Sequence, residues 1–152
     1  MTTAVGEEAP DFELQDQHGQ RVRLSSLRGT KAALVVFYPW AFSRVCGGEL
    51  AVLQAQLDEI AGEDVALFAV STDPIFALRA YADQEGITFP LLSDFWPHGA
   101  VAKDYGIFSE EVGIALRGSF LVDRDGVVRW TVVHDIPDAR DVDEYKKAIA
   151  SL

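Results

Sequence analysis

Thiols are almost missing from this chain: its 152 residues include one cysteine, Cys46. One thiol cannot close an intramolecular disulfide or supply a four-ligand zinc site, so a disulfide scaffold is excluded. Positive charge is scarce too. Lys and Arg number 13 against 24 Asp and Glu, giving a net charge of -11 and a pI near 4.5. Such a surface repels phosphate backbones and anionic lipid, which argues against nucleic acid and membranes as partners. Long apolar runs are absent. The stretch Ala32–Tyr38 falls far short of the ~20 residues that cross a bilayer. The N-terminal stretch Thr2–Glu8 has neither a basic region nor an apolar run of secretory type, so a cytoplasmic location is expected. His18, His98 and His134 have no metal-ligand spacing, and neither a Gly-x-Ser-x-Gly elbow nor a Gly-x-Gly-x-x-Gly turn occurs.

What is present is globular. Hydrophobic residues make up 49% and charged residues 24%, a composition able to build a core. The length matches one domain of roughly 100–200 residues, so 1–152 reads as a single domain. Residues 11–14 and 21–24 flank the polar turn Gln17-His18-Gly19-Gln20, which predicts an N-terminal β-hairpin. Residues 25–29 read as a short helical turn closed by Gly29. Residues 32–38 and 65–70 are apolar without alternation, as strands covered on both faces are.

Between those strands the period changes. Cys46, Leu50, Leu53, Leu57 and Ile60 recur every three or four residues, predicting one helix that ends at Gly62. A second helix is expected from Pro74 to Glu85, a short extended piece at 89–93 and a helical segment at 99–105. Arg124-Asp125-Gly126 between two apolar runs predicts a late hairpin, and a closing helix covers 142–152. Strand–helix alternation followed by a hairpin and helix implies an α/β fold: a central mixed β-sheet flanked by helices, with an N-terminal β-hairpin.

The chemistry concentrates at the turn after the first buried strand. Open α/β sheets place sites past the carboxyl ends of their strands, and Cys46 falls in the first turn of the helix that follows. Unpaired N–H groups and the positive end of the helix dipole favour a thiolate there. Such settings lower a thiol pKa from ~8.5 to about 3.5–7.5. The alternative is that Cys46 is simply a small buried hydrophobe.

Pro39-x-x-x-Ser43-x-x-Cys46 resembles the Pro-x-x-x-Thr/Ser-x-x-Cys signature of the peroxiredoxins, thiol peroxidases on a thioredoxin-like fold. Ala9-Pro10-Asp11-Phe12, Phe37-Tyr38-Pro39 and Arg117–Asp123 are similar to further family segments, so the likeness runs along the whole chain. Residues 89–101 resemble the one-cysteine alkyl hydroperoxide reductase E subgroup. The resemblance implies that Cys46 is the peroxidatic nucleophile and that Ser43 hydrogen-bonds the peroxide. It implies that Arg117 holds positive charge beside the sulfur, that Pro39 shields the thiolate, and that Glu49 stands behind them with arginine. Glu49 reads equally well as a first-turn carboxylate that complements the helix dipole. No cofactor is implied, because the thiolate supplies both electrons.

The chain departs from the family in two places. Cys46-Gly47-Gly48 stands where many members have Cys-Pro-Thr, and no second cysteine can resolve the oxidised one. An external reductant is therefore implied: a low-molecular-weight thiol, a thioredoxin or a glutaredoxin-like protein. The expected substrates are hydrogen peroxide, organic hydroperoxides and peroxynitrite. Phe95-Trp96-Pro97-His98 reads first as a packed aromatic loop and second as a substrate lip or a homodimer contact. Trp40, Phe42 and Phe95 suit an alkyl tail near the loop or a place in the core. The rival readings of Cys46 are a non-enzymatic redox sensor and an inert thiol on the same scaffold.

Overall fold

A computed structural model of the chain describes residues 2–152. The central strands are β3 (Ala32–Phe37) and β4 (Val65–Ser71), which run parallel with Leu34 opposite Leu67. β5 (Leu91–Ser93) continues the parallel set beyond β4. On the other side of β3 lie antiparallel β8 (Arg117–Val122) and then β9 (Val128–His134). The expected N-terminal hairpin, β1 (Glu13–Gln15) and β2 (Arg21–Arg23), joins the same sheet through Gln15 opposite Ser93. The seven-stranded order is β2-β1-β5-β4-β3-β8-β9, a mixed sheet as the sequence predicts.

Strand alternation sorts the core into two layers. Leu34, Val36, Leu67 and Ala69 face one cluster, while Ala33, Val35, Phe68 and Val70 face the other. This period of two is invisible in the sequence because both faces are apolar, as strands covered on both sides require. Over the first face lie α1 (Arg44–Ala55), α2 (Leu57–Ile60), α3 (Ile75–Glu85) and α5 (Val142–Ala150). Over the second lie a 3-10 turn (Leu24–Leu27) and α4 (Ala100–Asp104). Helices thus cover both faces, and Cys46 belongs to the first layer.

Two expectations need correction. The helix predicted from Cys46 to Ile60 is broken at Gln56, whose φ of −112° and ψ of 21° leave the helical region. Its N–H still reaches Val52 O at 3.1 Å, and Leu53 and Ile60 stay buried on the same side. The apolar period therefore survives a break that no proline or glycine marks. The aromatic segment Phe95–His98 is not packed away: all four residues are exposed, with Trp96 at 81%. Trp40 and Phe42 are exposed as well, so none of the three apolar loop residues belongs to the core. A small hairpin, β6 (Phe108–Ser109) with β7 (Ile114–Ala115), is too short to show in the residue pattern.

Candidate active site

The loop from β3 to α1 is pinned before the helix starts. Pro39 is buried. Ala41 N–H donates to Asp73 Oδ2 at 2.9 Å, and the Ser71 hydroxyl donates to the same oxygen at 2.7 Å. Asp73 stands just beyond β4, so the neighbouring strand end fixes the loop. Phe42 takes a φ of 69°, a left-handed conformation uncommon for an aromatic residue. The turn this produces delivers Ser43 in extended geometry as the N-cap of α1. Ser43 Oγ accepts from Cys46 N–H at 3.3 Å, which spends a lone pair and leaves the hydroxyl proton available to donate.

Cys46 is the third residue of α1, in its first turn as expected, and it is fully buried. Tyr38, Leu50 and Tyr81 belong to the same buried cluster. One turn further along α1 the surroundings change from apolar to ionic. Glu49 Oε1 accepts from Arg117 Nη1 at 2.5 Å and from Arg140 Nη2 at 2.9 Å. Its Oε2 accepts from Arg140 N–H at 2.6 Å and Nε at 2.9 Å. The three side chains are 5, 2 and 2% exposed for Glu49, Arg117 and Arg140. Burial alone would raise the Glu49 carboxyl pKa, but the hydrogen bonds and charge of Arg140, with the charge of Arg117, hold it below the usual value.

Two guanidiniums against one carboxylate leave one net positive charge in this buried cluster. Arg117 Nε is spent on Ile136 O at 2.5 Å, whereas Nη2 makes none of the hydrogen bonds found among the described residues. Arg140 Nη1 is spent on Gly118 O at 3.0 Å and Ser119 Oγ at 2.9 Å. Ser119 Oγ in turn meets Tyr145 OH at 2.8 Å, tying the cluster to α5.

The structure thus gathers Pro39, Ser43 and Cys46 at one turn, and Glu49 with Arg117 one helical turn on. Arg117 is committed to Glu49 and Ile136, and no hydrogen bond joins it to the sulfur among the described residues. Arg44 is an exposed cation at the start of α1. Sequence reasoning missed two residues here. Arg140 sits in the irregular stretch between β9 and α5, where nothing in the pattern marks it. Asp73 precedes a proline at a helix start, and so reads only as part of a helix boundary. Among the described residues, no group of three or more His, Cys, Asp or Glu gathers to hold a metal ion, and no helix is long and apolar enough to cross a membrane.

The chain thus carries a buried cysteine in the first turn of a helix, past a central strand and one turn from an Arg–Glu–Arg cluster, on a thioredoxin-like α/β fold. Residues 5–131 match the AhpC/TSA family, and the chain belongs to that family of peroxiredoxins, which are thiol-dependent peroxidases. It is 47% identical over 148 residues to alkyl hydroperoxide reductase E of Mycobacterium tuberculosis and of Mycobacterium bovis, covering 97% of each chain. Among solved structures it resembles peroxidoxin BcpB from Mycobacterium tuberculosis, with a TM-score of 0.87, 27% identity and coverage of 99% of this chain and 98% of that one. It also resembles Enterococcus faecalis AhpC, with a TM-score of 0.87, 30% identity and coverage of 99% and 93%.

Proposed function

We propose that this peroxidase works through Cys46 alone, as a one-cysteine enzyme recycled by an external thiol. The observation that carries the reading is the placement of Cys46 at the third position of α1, one turn from a buried cluster with one net positive charge. A fixed positive charge in a dry site stabilises the negative charge that moves from sulfur onto the departing peroxide oxygen. The Cys46 thiolate attacks the distal oxygen of a hydroperoxide. The S–O bond forms as the O–O bond breaks, sulfur gives up two electrons, and the leaving alkoxide or hydroxide takes a proton from solvent.

Ser43 and Arg117 have supporting roles in this reading. The Ser43 proton is placed to donate to the peroxide while its lone pair caps the helix. Arg117 Nη2, which makes no hydrogen bond among the described residues, is the donor for the leaving oxygen. Pro39 keeps bulk water from the thiolate, and Glu49 with Arg140 holds Arg117 in place. Hydrogen peroxide, organic hydroperoxides and peroxynitrite are the proposed substrates.

The sulfenic acid then condenses with an outside thiol to give a mixed disulfide and water. A small thiol, a thioredoxin or a glutaredoxin-like protein fits this step. Cys46 must leave its burial to meet such a thiol. Gly47 and Gly48, inside α1, each weaken a helix by about 1 kcal/mol relative to alanine, which lowers the cost of opening this turn. The remaining parts of the reading are one domain over 1–152, a cytoplasmic location and a homodimer joined through the exposed Phe95–Trp96 surface.

Turnover is the test. With excess peroxide and a small thiol, the protein consumes many equivalents of peroxide per Cys46, and Cys46→Ser consumes none. Consumption that stops at one equivalent with every thiol offered would favour the sensor reading instead.

A further inference from the structure

Two tyrosine hydroxyls in the buried cluster of Cys46 have no hydrogen-bond partner among the described residues. Tyr38, directly after β3, and Tyr81, on α3, are 0 and 1% exposed, and neither phenolic oxygen has a hydrogen-bond partner among the described residues. The Ser71 side chain, already donating to Asp73, counters part of the effect of burial on the Tyr38 hydroxyl, but no hydrogen bond joins the two. Buried hydroxyls are normally paired, because an orphan forfeits its hydration for nothing.

The Tyr81 oxygen lies against the first turn of α1. A Cβ built on Gly47 would come within 3.5 Å of it, next to the reactive residue. Cys46, Tyr38 and Tyr81 share one buried cluster, and the Phe42 ring packs edge-on over Tyr81 at 5.0 Å between centroids, from the solvent side. Burial first, then the charges of Glu85, Cys46 and Asp73, push the Tyr81 hydroxyl up to about 12, and burial likewise pushes Tyr38 well up. Both therefore keep their protons at neutral pH and have them available to donate. The reduced sulfur does not engage either of them. A sulfur that gains an oxygen carries a stronger acceptor into the same buried cluster.

We propose that Tyr81, with Tyr38 beside it, donates to the oxygen that peroxide leaves on Cys46, so that hydroxyls orphaned in the reduced protein are satisfied in the oxidised one. The inference rests on Cys46 being the peroxide-reacting thiol. In the first step, Cys46–S⁻ and ROOH give Cys46–SOH and RO⁻. In overoxidation, the sulfenate and a second ROOH give the sulfinate and ROH, sulfur losing two more electrons. A donor bonded to the sulfenate oxygen turns it inward and withdraws density from sulfur, so this second attack is slowed while the thiol is awaited.

The experiment adds one equivalent of tert-butyl hydroperoxide to the reduced protein. Sulfenic acid is counted as its dimedone adduct by mass in quenched samples, and near-UV absorption is followed in parallel. The tyrosine absorption is expected to move to longer wavelength in step with the adduct, and Tyr81→Phe should remove most of that change. In a second arm with excess tert-butyl hydroperoxide and no dimedone, sulfinic acid formation relative to the first oxidation should rise on the order of tenfold in Tyr81→Phe, as for the loss of one charge-assisted hydrogen bond. A full yield of adduct with an unmoved tyrosine spectrum overturns the proposal, and this arm needs no variant to fold. An unchanged overoxidation ratio in folded Tyr81→Phe overturns it also. If no adduct forms, the reading of Cys46 fails and the inference falls with it.

Discussion

Cys46 and Glu49 lie one turn apart on α1, yet their surroundings are opposites. Four N–H groups saturate the Glu49 carboxylate, and its cations are spent in turn on Ile136 O, Gly118 O and Ser119 Oγ. Cys46 sits in a cluster of apolar side chains with two hydroxyls that have no partner among the described residues. On the proposed mechanism the contrast separates frame from reaction centre: the Glu49 carboxylate is fully bonded, whereas the two tyrosine hydroxyls, and Arg117 Nη2 within the frame, make no hydrogen bond among the described residues. A buried ion cluster adds little net stability, but it fixes geometry, since breaking one partner strands the others.

The strongest way to break the comparison is Glu49→Ala. It leaves two guanidiniums buried without their counter-ion and should cost about 3–5 kcal/mol in urea denaturation. Acid acts on the same contact. The folded Glu49 carboxyl has a lowered pKa, so its stabilisation is complete above the ordinary glutamate value and lost as pH falls through the lowered one. Asp94 gives the opposite sign. Among the described residues its carboxylate accepts only from the backbone N–H groups of Val101 and Ala102, and burial pushes its pKa up to about 6. The folded chain thus keeps a proton that the unfolded chain has released, and its contribution falls as pH rises from about 4 to about 6. Asp94→Ala should remove that part of the pH profile and leave the Glu49 part below it.

Arg117→Lys sharpens the comparison from the reactive side. Lysine keeps the charge but cannot hold Glu49 and present a second N–H at a fixed angle, so peroxide reduction should fall about 100-fold or more while the fold survives. A loss of less than threefold would remove Arg117 from the chemistry. Ser43→Ala forfeits the N-cap at about 1 kcal/mol and the donor to peroxide besides. Ser43→Thr should restore both, and the thermal midpoint and the oxidation rate together check this. The smallest effect is expected from Gly48→Ala. Its Cβ meets nothing within 4 Å, so the helix gains about 0.4–1 kcal/mol. The thiol-dependent step should then slow, because the turn that exposes Cys46 opens less readily.

Much of the frame could be read in the residues because it is set by local pattern. Unbroken apolar runs marked β3 and β4, and Asp125-Gly126 marked the late hairpin. Pro39, Ser43 and Cys46 are close in sequence as well as in space, so their spacing alone suggested a shared turn. The ionic cluster is different. Arg140 reaches Glu49 across 91 positions of chain, and one arginine in an irregular stretch looks like any other. Tyr38 and Tyr81 were hidden for a related reason: a tyrosine in an apolar run reads as core, and only the packed structure shows a hydroxyl without a partner. Gln56 interrupts the helix without a breaker residue, so that boundary too belongs to tertiary packing rather than to propensity.

The most direct test is stopped-flow intrinsic fluorescence after mixing reduced protein with one equivalent of hydrogen peroxide or an organic hydroperoxide, with Cys46→Ser as control and free thiol counted alongside. A rapid phase, far faster than the reaction of a free thiol, absent from the variant and matched by the loss of one thiol, is the predicted result. A reaction no faster than that of a free thiol would contradict the assignment of Cys46 as the peroxidatic residue.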